Sequence, residues 1–272
     1  MPELLARDTL LAYTDDGAGP PAILVHGSAS SRGQWRSTAL ALVPRYRVLA
    51  PDLHGYGGTP LPPALGGFTI DDEAALIDAL VDLAGGEVHL VGHSYGGAVC
   101  MRAASRRPER IRSLSLIEPS AFQLLRLSGK RQAWTEIEAL ATRHIALADA
   151  GDLAACADHF LGYWIGLEAW RKMDGELRAR IVQTMPKIAQ EWRIVLELTD
   201  AYEDLAASGI PTLLVRGSAT TLAAHTVVEL LRDRLPVHAF VEIEGAGHMS
   251  PLTHPGRVDA AIEAHLDRYT SG

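Results

Sequence analysis

Cysteine is nearly missing from this chain: its 272 residues hold only Cys100 and Cys156. Two thiols exclude a disulfide framework and fit a reducing compartment, so a cytoplasmic location is expected. No apolar run approaches the ~20 residues that a membrane-spanning helix needs, and no membrane partner is expected. The stretch from Met1 to Asp8 lacks a basic start followed by an apolar core, so no signal peptide is expected. Charge of one sign is not massed anywhere. The net charge is −8, with acidic and basic residues interspersed and no basic patch of the kind a nucleic acid demands. The acidic balance favours solubility instead. Paired-cysteine metal spacing is absent, and Gly55-Tyr56-Gly57-Gly58 opens no helix at dinucleotide-binding spacing, so neither metal nor cofactor is expected.

What is present is the composition of a globular protein, 47% hydrophobic and 21% charged, long enough for one large domain or a domain with an insertion. Six short apolar runs are bounded by turn signals: Ala22 to His26, Arg47 to Ala50, Val88 to Val91, Ser113 to Ile117, Pro211 to Val215 and Ala239 to Ile243. Runs of this kind predict strands buried on both faces. Thr9 to Tyr13 adds a candidate edge strand ahead of a hairpin signal at Asp15-Asp16-Gly17. Helical spacing lies between the runs, with Trp35, Thr38, Ala39 and Leu42 on one face and Leu76, Leu80 and Leu83 on another. A further stripe, Val258, Ala261, Ile262, His265, Leu266 and Tyr269, follows Pro255 as a first-turn residue. Strands alternating with helices predict an α/β protein with a mostly parallel sheet.

The alternation stops between about Ser120 and Ser208. Trp134, Ile137, Ala141, Ile145 and Ala148 keep helical spacing, as do Phe160, Leu161, Trp164 and Ile165, and another helix is predicted from about Trp192 to Leu205. The interval 120–208 therefore reads as an all-helical insertion in a core formed by 1–119 and 209–272. It carries four of the five tryptophans. Helix packing accounts for any one of them; together, beside a catalytic turn, they could line an apolar pocket.

That turn is Gly92-His93-Ser94-Tyr95-Gly96-Gly97, with a predicted strand before it and a predicted helix after it. A serine flanked by glycines at a strand-to-helix turn is the sequence form of a nucleophile elbow, because the turn is tight and admits only small neighbours. The alternative is a glycine-rich turn whose serine merely caps a helix.

With His26-Gly27-Ser28-Ala29-Ser30, Pro51-Asp52-Leu53-His54-Gly55-Tyr56-Gly57, the elbow and Gly245-Ala246-Gly247-His248 in this order, the chain resembles the α/β-hydrolases over nearly its whole length. The resemblance implies a mostly parallel eight-stranded sheet with helices on both faces and a helical cap inserted after the strand that follows the elbow. It implies His248 as general base for Ser94. A serine hydroxyl needs such a base at neutral pH. It implies an oxyanion hole from the backbone N–H of Tyr95 and one from the turn after His26-Gly27, Ser28 being favoured and Ala29 the near alternative. The serine argues against haloalkane dehalogenase and epoxide hydrolase chemistry, for which the resemblance would require aspartate.

The acid departs from the common family pattern. The family usually carries an aspartate shortly after the penultimate strand, but Val215 to His225 holds no carboxylate. Some members place the acid after the strand that follows the elbow, which here is Glu118. A glutamate ending a buried strand is expensive unless partnered, and the imidazole of His248 is a fitting partner. An arginine pair or a helix cap is the competing use of Glu118, and Asp200 and Asp204 are outside candidates for the acid. Ala29, His54, Phe122, Trp134, Trp164 and Met249 are the candidate pocket residues.

The expected activity is hydrolysis of a small or medium apolar ester, thioester or lactone through an acyl-enzyme. Cofactor-free carbon–carbon bond hydrolysis or cyclisation is the alternative on the same site, and a ligand-binding receptor with a degenerate triad is the non-enzymatic one. The expected partner is a small-molecule substrate, with monomer and homodimer both open.

Overall fold

The structure, a computed structural model, describes residues 2–62, 67–200 and 202–270. Eight strands form one sheet: β1 (Glu3–Ala6), β2 (Thr9–Asp16), β3 (Pro21–Val25), β4 (Arg47–Pro51), β5 (Val88–His93), β6 (Ile111–Ile117), β7 (Thr212–Gly217) and β8 (Val237–Ile243), in the order β1-β2-β4-β3-β5-β6-β7-β8. The pairs from β4 through β8 are parallel, while β1 on β2 and β2 on β4 are antiparallel. Side chains alternate across this sheet as the strand period requires. Ile23, Val25, Leu90, Leu114, Leu116 and Leu214 enter one core, and Ala22, Leu24, Val91, Ile117, Leu213 and Val215 enter the other.

Helices cover both faces. α1 (Arg36–Leu42) precedes α2 (Ile70–Ala84) and α3 (Tyr95–Arg106). Between β6 and β7 run only helices: α4 (Gln123–Leu127), α5 (Arg131–Asp149), α6 (Leu153–Ile165), α7 (Leu167–Lys172), α8 (Gly175–Gln183), α9 (Met185–Glu197) and α10 (Glu203–Ala207). The chain ends with α11 (Leu222–Arg234), α12 (Ser250–Thr253) and α13 (Pro255–Thr270). Leu42 of α1 and Val258, Ile262 and Leu266 of α13 fill one core; Leu76 and Ile77 of α2, Val99 of α3 and Val227 of α11 fill the other. No helix among the described residues is long and apolar enough to cross a membrane.

Two local expectations are corrected. Asp15-Asp16-Gly17 does not close a hairpin, because β2 pairs with β4 rather than with β3, and Arg47 of β4 binds Asp15 through two hydrogen bonds of 2.8 and 2.7 Å. The hairpin is β1–β2, turning at Arg7 with φ 51°, so β1 and not Thr9 to Tyr13 is the edge. Nor is Trp192 to Leu205 one helix. α9 ends at Glu197, and Tyr202 adopts φ 60° while its N–H donates to the Asp200 carboxylate at 2.6 Å.

Sheet register sets the site. His93 ends β5 opposite Ile117, which ends β6 opposite Val215, and Gly217 ends β7 opposite Ile243 of β8. The residues that follow these ends emerge side by side at the carboxyl edge. β3 lies between β4 and β5, so successive strands are added to opposite sides of it, and such a switch point leaves a crevice open at the carboxyl ends of the strands.

Candidate active site

Ser94 sits between β5 and α3 with φ 53° and ψ −122°, a conformation that a non-glycine residue holds only when its surroundings force it. They do. A methyl on Gly96 would sit 2.5 Å from the Val25 carbonyl, and one on Gly92 would sit 2.6 Å from the Gly96 carbonyl, so the flanking positions must be glycine. The Ser94 carbonyl takes N–H groups from Gly97 and Ala98, which starts the α3 ladder and leaves the Tyr95 N–H among those a helix cannot satisfy internally.

The Ser94 hydroxyl lies 2.9 Å from Nε2 of His248, and Nδ1 of His248 lies 2.7 Å from Oε2 of Glu118. A carboxylate only accepts, so Nδ1–H donates to Glu118 and Nε2 is left to accept from the serine. All three side chains are nearly out of solvent. The His248 turn is tied to the loop after β7, where Ala219 N–H donates to the Ala246 carbonyl at 2.9 Å and Gly245 N–H to the Ser218 hydroxyl at 2.8 Å. From α6, the Trp164 ring stacks on the His248 imidazole with centroids 4.0 Å apart. His93 Nε2 donates to the His248 carbonyl at 3.0 Å, and burial pushes the His93 pKa down to about 3, keeping that ring neutral.

Glu118 follows β6 with φ 42°. Its Oε1 accepts the Gly217 N–H at 2.8 Å and its Oε2 accepts the Thr220 hydroxyl at 2.6 Å. Burial opposes its charge, but His248, Thr220 and the Gly217 N–H together hold its pKa below the usual carboxylate value. The end of β7 and the loop after it thus supply donors to an acid that directly follows β6. Arg216 near the end of β7 instead binds Glu229 at 2.5 Å and also pairs with Glu242, so it does not compete for Glu118. Asp200 and Asp204 are not drawn to His248, and Asp200 instead faces Arg102 at 3.8 Å.

Two recesses meet at Ser94. The larger, about 870 Å³, is lined by Ala29, Trp164, Met249, Met173, Leu177 and Ile181 among others, and it reaches His248. The smaller has about 20 Å³ of free space and is lined by Ser28, Tyr95, Ser120, Phe122, Trp192 and Val195 among others. Of the candidate pocket residues, Ala29, Phe122, Trp164 and Met249 line the recesses, whereas His54 and Trp134 line neither. The His54 ring packs edge-on against Phe68 at 5.3 Å and its backbone N–H donates to Glu73, which turns it into the core. Trp134 is half-buried against the core, with the Arg126 guanidinium 5.9 Å from its ring.

Sequence reasoning also missed residues that the fold brings in. Trp192, one of the insertion tryptophans that together suggest an apolar pocket, lines the smaller recess, while Thr220 and Ser120 carry no sequence pattern. The Ser120 hydroxyl is 3.4 Å from that of Ser94. Glu191, buried on α9, accepts the Ser28 hydroxyl at Oε2 and the Tyr56 hydroxyl at Oε1, the latter at 2.7 Å. Its signal was hidden, because Lys187 and Glu191 at helical spacing look like a solvated surface pair.

The family model for the alpha/beta hydrolase fold matches residues 20–255. The chain belongs to this family. It is 31% identical to Lipase LipV of Mycobacterium tuberculosis, over 92% of this chain and 94% of the relative. It is 28% identical to the pimeloyl-[acyl-carrier protein] methyl ester esterase of Aeromonas hydrophila, over 91% and 95%. The fold matches a hydrolase from Pseudomonas aeruginosa with a TM-score of 0.78 at 24% identity, covering 96% of this chain and 97% of that one. As an α/β-hydrolase, the chain is a hydrolytic enzyme.

Proposed function

We propose that this α/β-hydrolase is a serine esterase acting on a small or medium apolar ester through an acyl-enzyme. One observation carries the reading: the hydroxyl of Ser94 and the carboxylate of Glu118 contact opposite nitrogens of the same buried imidazole, at 2.9 and 2.7 Å. In that arrangement His248 takes the serine proton as Oγ attacks the ester carbonyl, while Glu118 fixes the tautomer and stabilises the imidazolium that forms. The negative oxygen of the tetrahedral intermediate is held by the backbone N–H groups of Tyr95 and Ser28. Ser28 is preferred over Ala29 because the Ala29 amide bears on the Tyr56 hydroxyl. The imidazolium then protonates the leaving alcohol, and a water activated by His248 releases the acid.

The mainly apolar 870 Å³ recess suits a small organic substrate, with residues 120–208 serving as its cap over the core formed by 1–119 and 209–272. Two relatives carry ester-hydrolase names, which favours ester over other carbonyl substrates. The buried free thiols of Cys100 and Cys156 are compatible with a reducing compartment. A fluorophosphonate probe is expected to label Ser94 and abolish turnover of p-nitrophenyl esters, and Ser94→Ala is expected to lose both. Undiminished turnover by Ser94→Ala, or labelling at another serine alone, overturns the reading.

A further inference from the structure

The two recesses at Ser94 differ about fortyfold in size, and only the large one contains the His248 turn. Its walls include His93, Gly247, His248, Met249 and Leu252. The small one contains none of these; it is walled by Tyr95, Phe122, Ile188, Trp192 and Val195, with Ser120 and the buried Glu191 beside them. Both share Ser28, Ser94, Phe160 and Trp164, so a substrate bonded to Ser94 can reach into each. The chemistry then orients it. The leaving oxygen must lie within hydrogen-bond reach of Nε2 of His248, because that nitrogen returns the proton. The alcohol side therefore occupies the large recess. The acyl carbon, held between Ser94 and the Ser28 and Tyr95 amides, turns its substituent away from His248 into the small recess.

Resting on the proposed esterase reading, we infer that the substrate is an ester of a very small acyl group, acetyl in size, with a bulky apolar alcohol. About 20 Å³ of free space holds one water-sized group, enough for a methyl but not for an alkyl chain. The walls resist enlargement. Phe122 lies 5.7 Å from Trp192 and 6.5 Å from Trp164, centroid to centroid; Phe122 and Trp192 are packed into the core, and the half-buried Trp164 lies against it. Val195 and Ile188 are anchored on α9, itself held to α5 and to the core. The alcohol side has far more room, with Met173, Leu177 and Ile181 of the helical layer offering an apolar wall.

Two isomeric esters, octyl acetate and methyl nonanoate, separate the orientations, because they share composition and nearly share hydrophobicity. Octyl acetate is expected to be hydrolysed with a kcat/KM at least about tenfold higher, since one methylene in a shaped pocket is worth about 10- to 200-fold. Equal or faster hydrolysis of methyl nonanoate overturns the inference and leaves the esterase reading standing. Hydrolysis of neither ester, with no fluorophosphonate labelling of Ser94, overturns both.

In a second measurement, Val195→Ala is expected to raise kcat/KM for p-nitrophenyl butyrate relative to p-nitrophenyl acetate by about tenfold. A change in melting temperature alone, with the acyl preference unmoved, overturns the assignment of the small recess to the acyl group. Ile188→Ala repeats the test at a second wall should Val195→Ala fail to fold.

Discussion

Glu118 holds the tension of this site within one residue. Its backbone lies at φ 42°, its carboxylate is buried, and yet its pKa is lowered, because three donors face it: His248, Thr220 and the Gly217 N–H. Glu118→Gln keeps the shape and the contact with Thr220 but presents either a neutral acceptor or an amide N–H to Nδ1 of His248, which no longer fixes the tautomer. Turnover is expected to fall by about 10⁴-fold, the scale of acid loss in a serine triad. Thermal unfolding should move little. Activity within tenfold of the wild type in a correctly folded Glu118→Gln protein would remove the acid role. Ser94, His248 and Glu118 were legible beforehand for different reasons. Glycine spacing marked the first two, and the expense of ending a buried strand in a carboxylate marked the third. Thr220 was not legible, since a threonine in a loop has no spacing to betray it; only the register of β6 on β7 brings it to Glu118.

Helix α9 shows where pattern reading fails at the scale of an element. By sequence, Lys187 and Glu191 form an ordinary solvated pair at i and i+4, yet both are buried. The Lys187 ammonium donates to Glu73 of α2 at 2.8 Å and to Glu191 at 2.9 Å, and it lies over the rings of Tyr95, Phe68 and Tyr56 at 5.0, 5.1 and 5.5 Å. Burial alone would lower its pKa; Glu191 and Glu73 overcome that and raise it. The network bolts the helical layer to the core and, through Glu191, to Ser28. Periodicity along one helix cannot report such a pair as buried, because the covering surface comes from residues about ninety or more positions away. Lys187→Ala leaves two carboxylates facing one another without a cation and is expected to destabilise the fold by about 3–5 kcal/mol in urea unfolding. Replacing all three charges together, as Lys187→Met with Glu73→Gln and Glu191→Gln, is expected to recover most of that loss. A loss under about 1 kcal/mol for Lys187→Ala would mean that water reaches the network.

At the scale of the whole molecule, the alternation of short apolar runs with helical stripes made the α/β layering readable, because each central strand is covered on both faces and needs no polar face. The same covering buries histidines, of which only His265 stands on a predicted apolar stripe, and it makes the fold sensitive to acid. His26, His89, His93, His144 and His265 are all buried, and burial is the largest cause of a lowered pKa in each, to about 3 for His93 and about 4 for His89, His144 and His265. In the unfolded chain each returns to about 6.5. Below pH 6.5 the unfolded chain therefore binds protons that the native state refuses, and stability falls as the pH falls until the native values near 4 are reached. Each histidine contributes about 1.4 kcal/mol per pH unit once its unfolded form is fully protonated. Glu118 acts in the same direction at still lower pH: its depressed pKa supplies stability above the ordinary carboxylate value, and this is lost as pH drops through the native one. Urea unfolding at pH 7.5 and pH 5.0 should thus show a loss of several kcal/mol at the lower pH, with His93→Gln flattening the slope by about one proton. An unchanged unfolding free energy between those two pH values would mean that these rings are already protonated, and partnered, in the native fold.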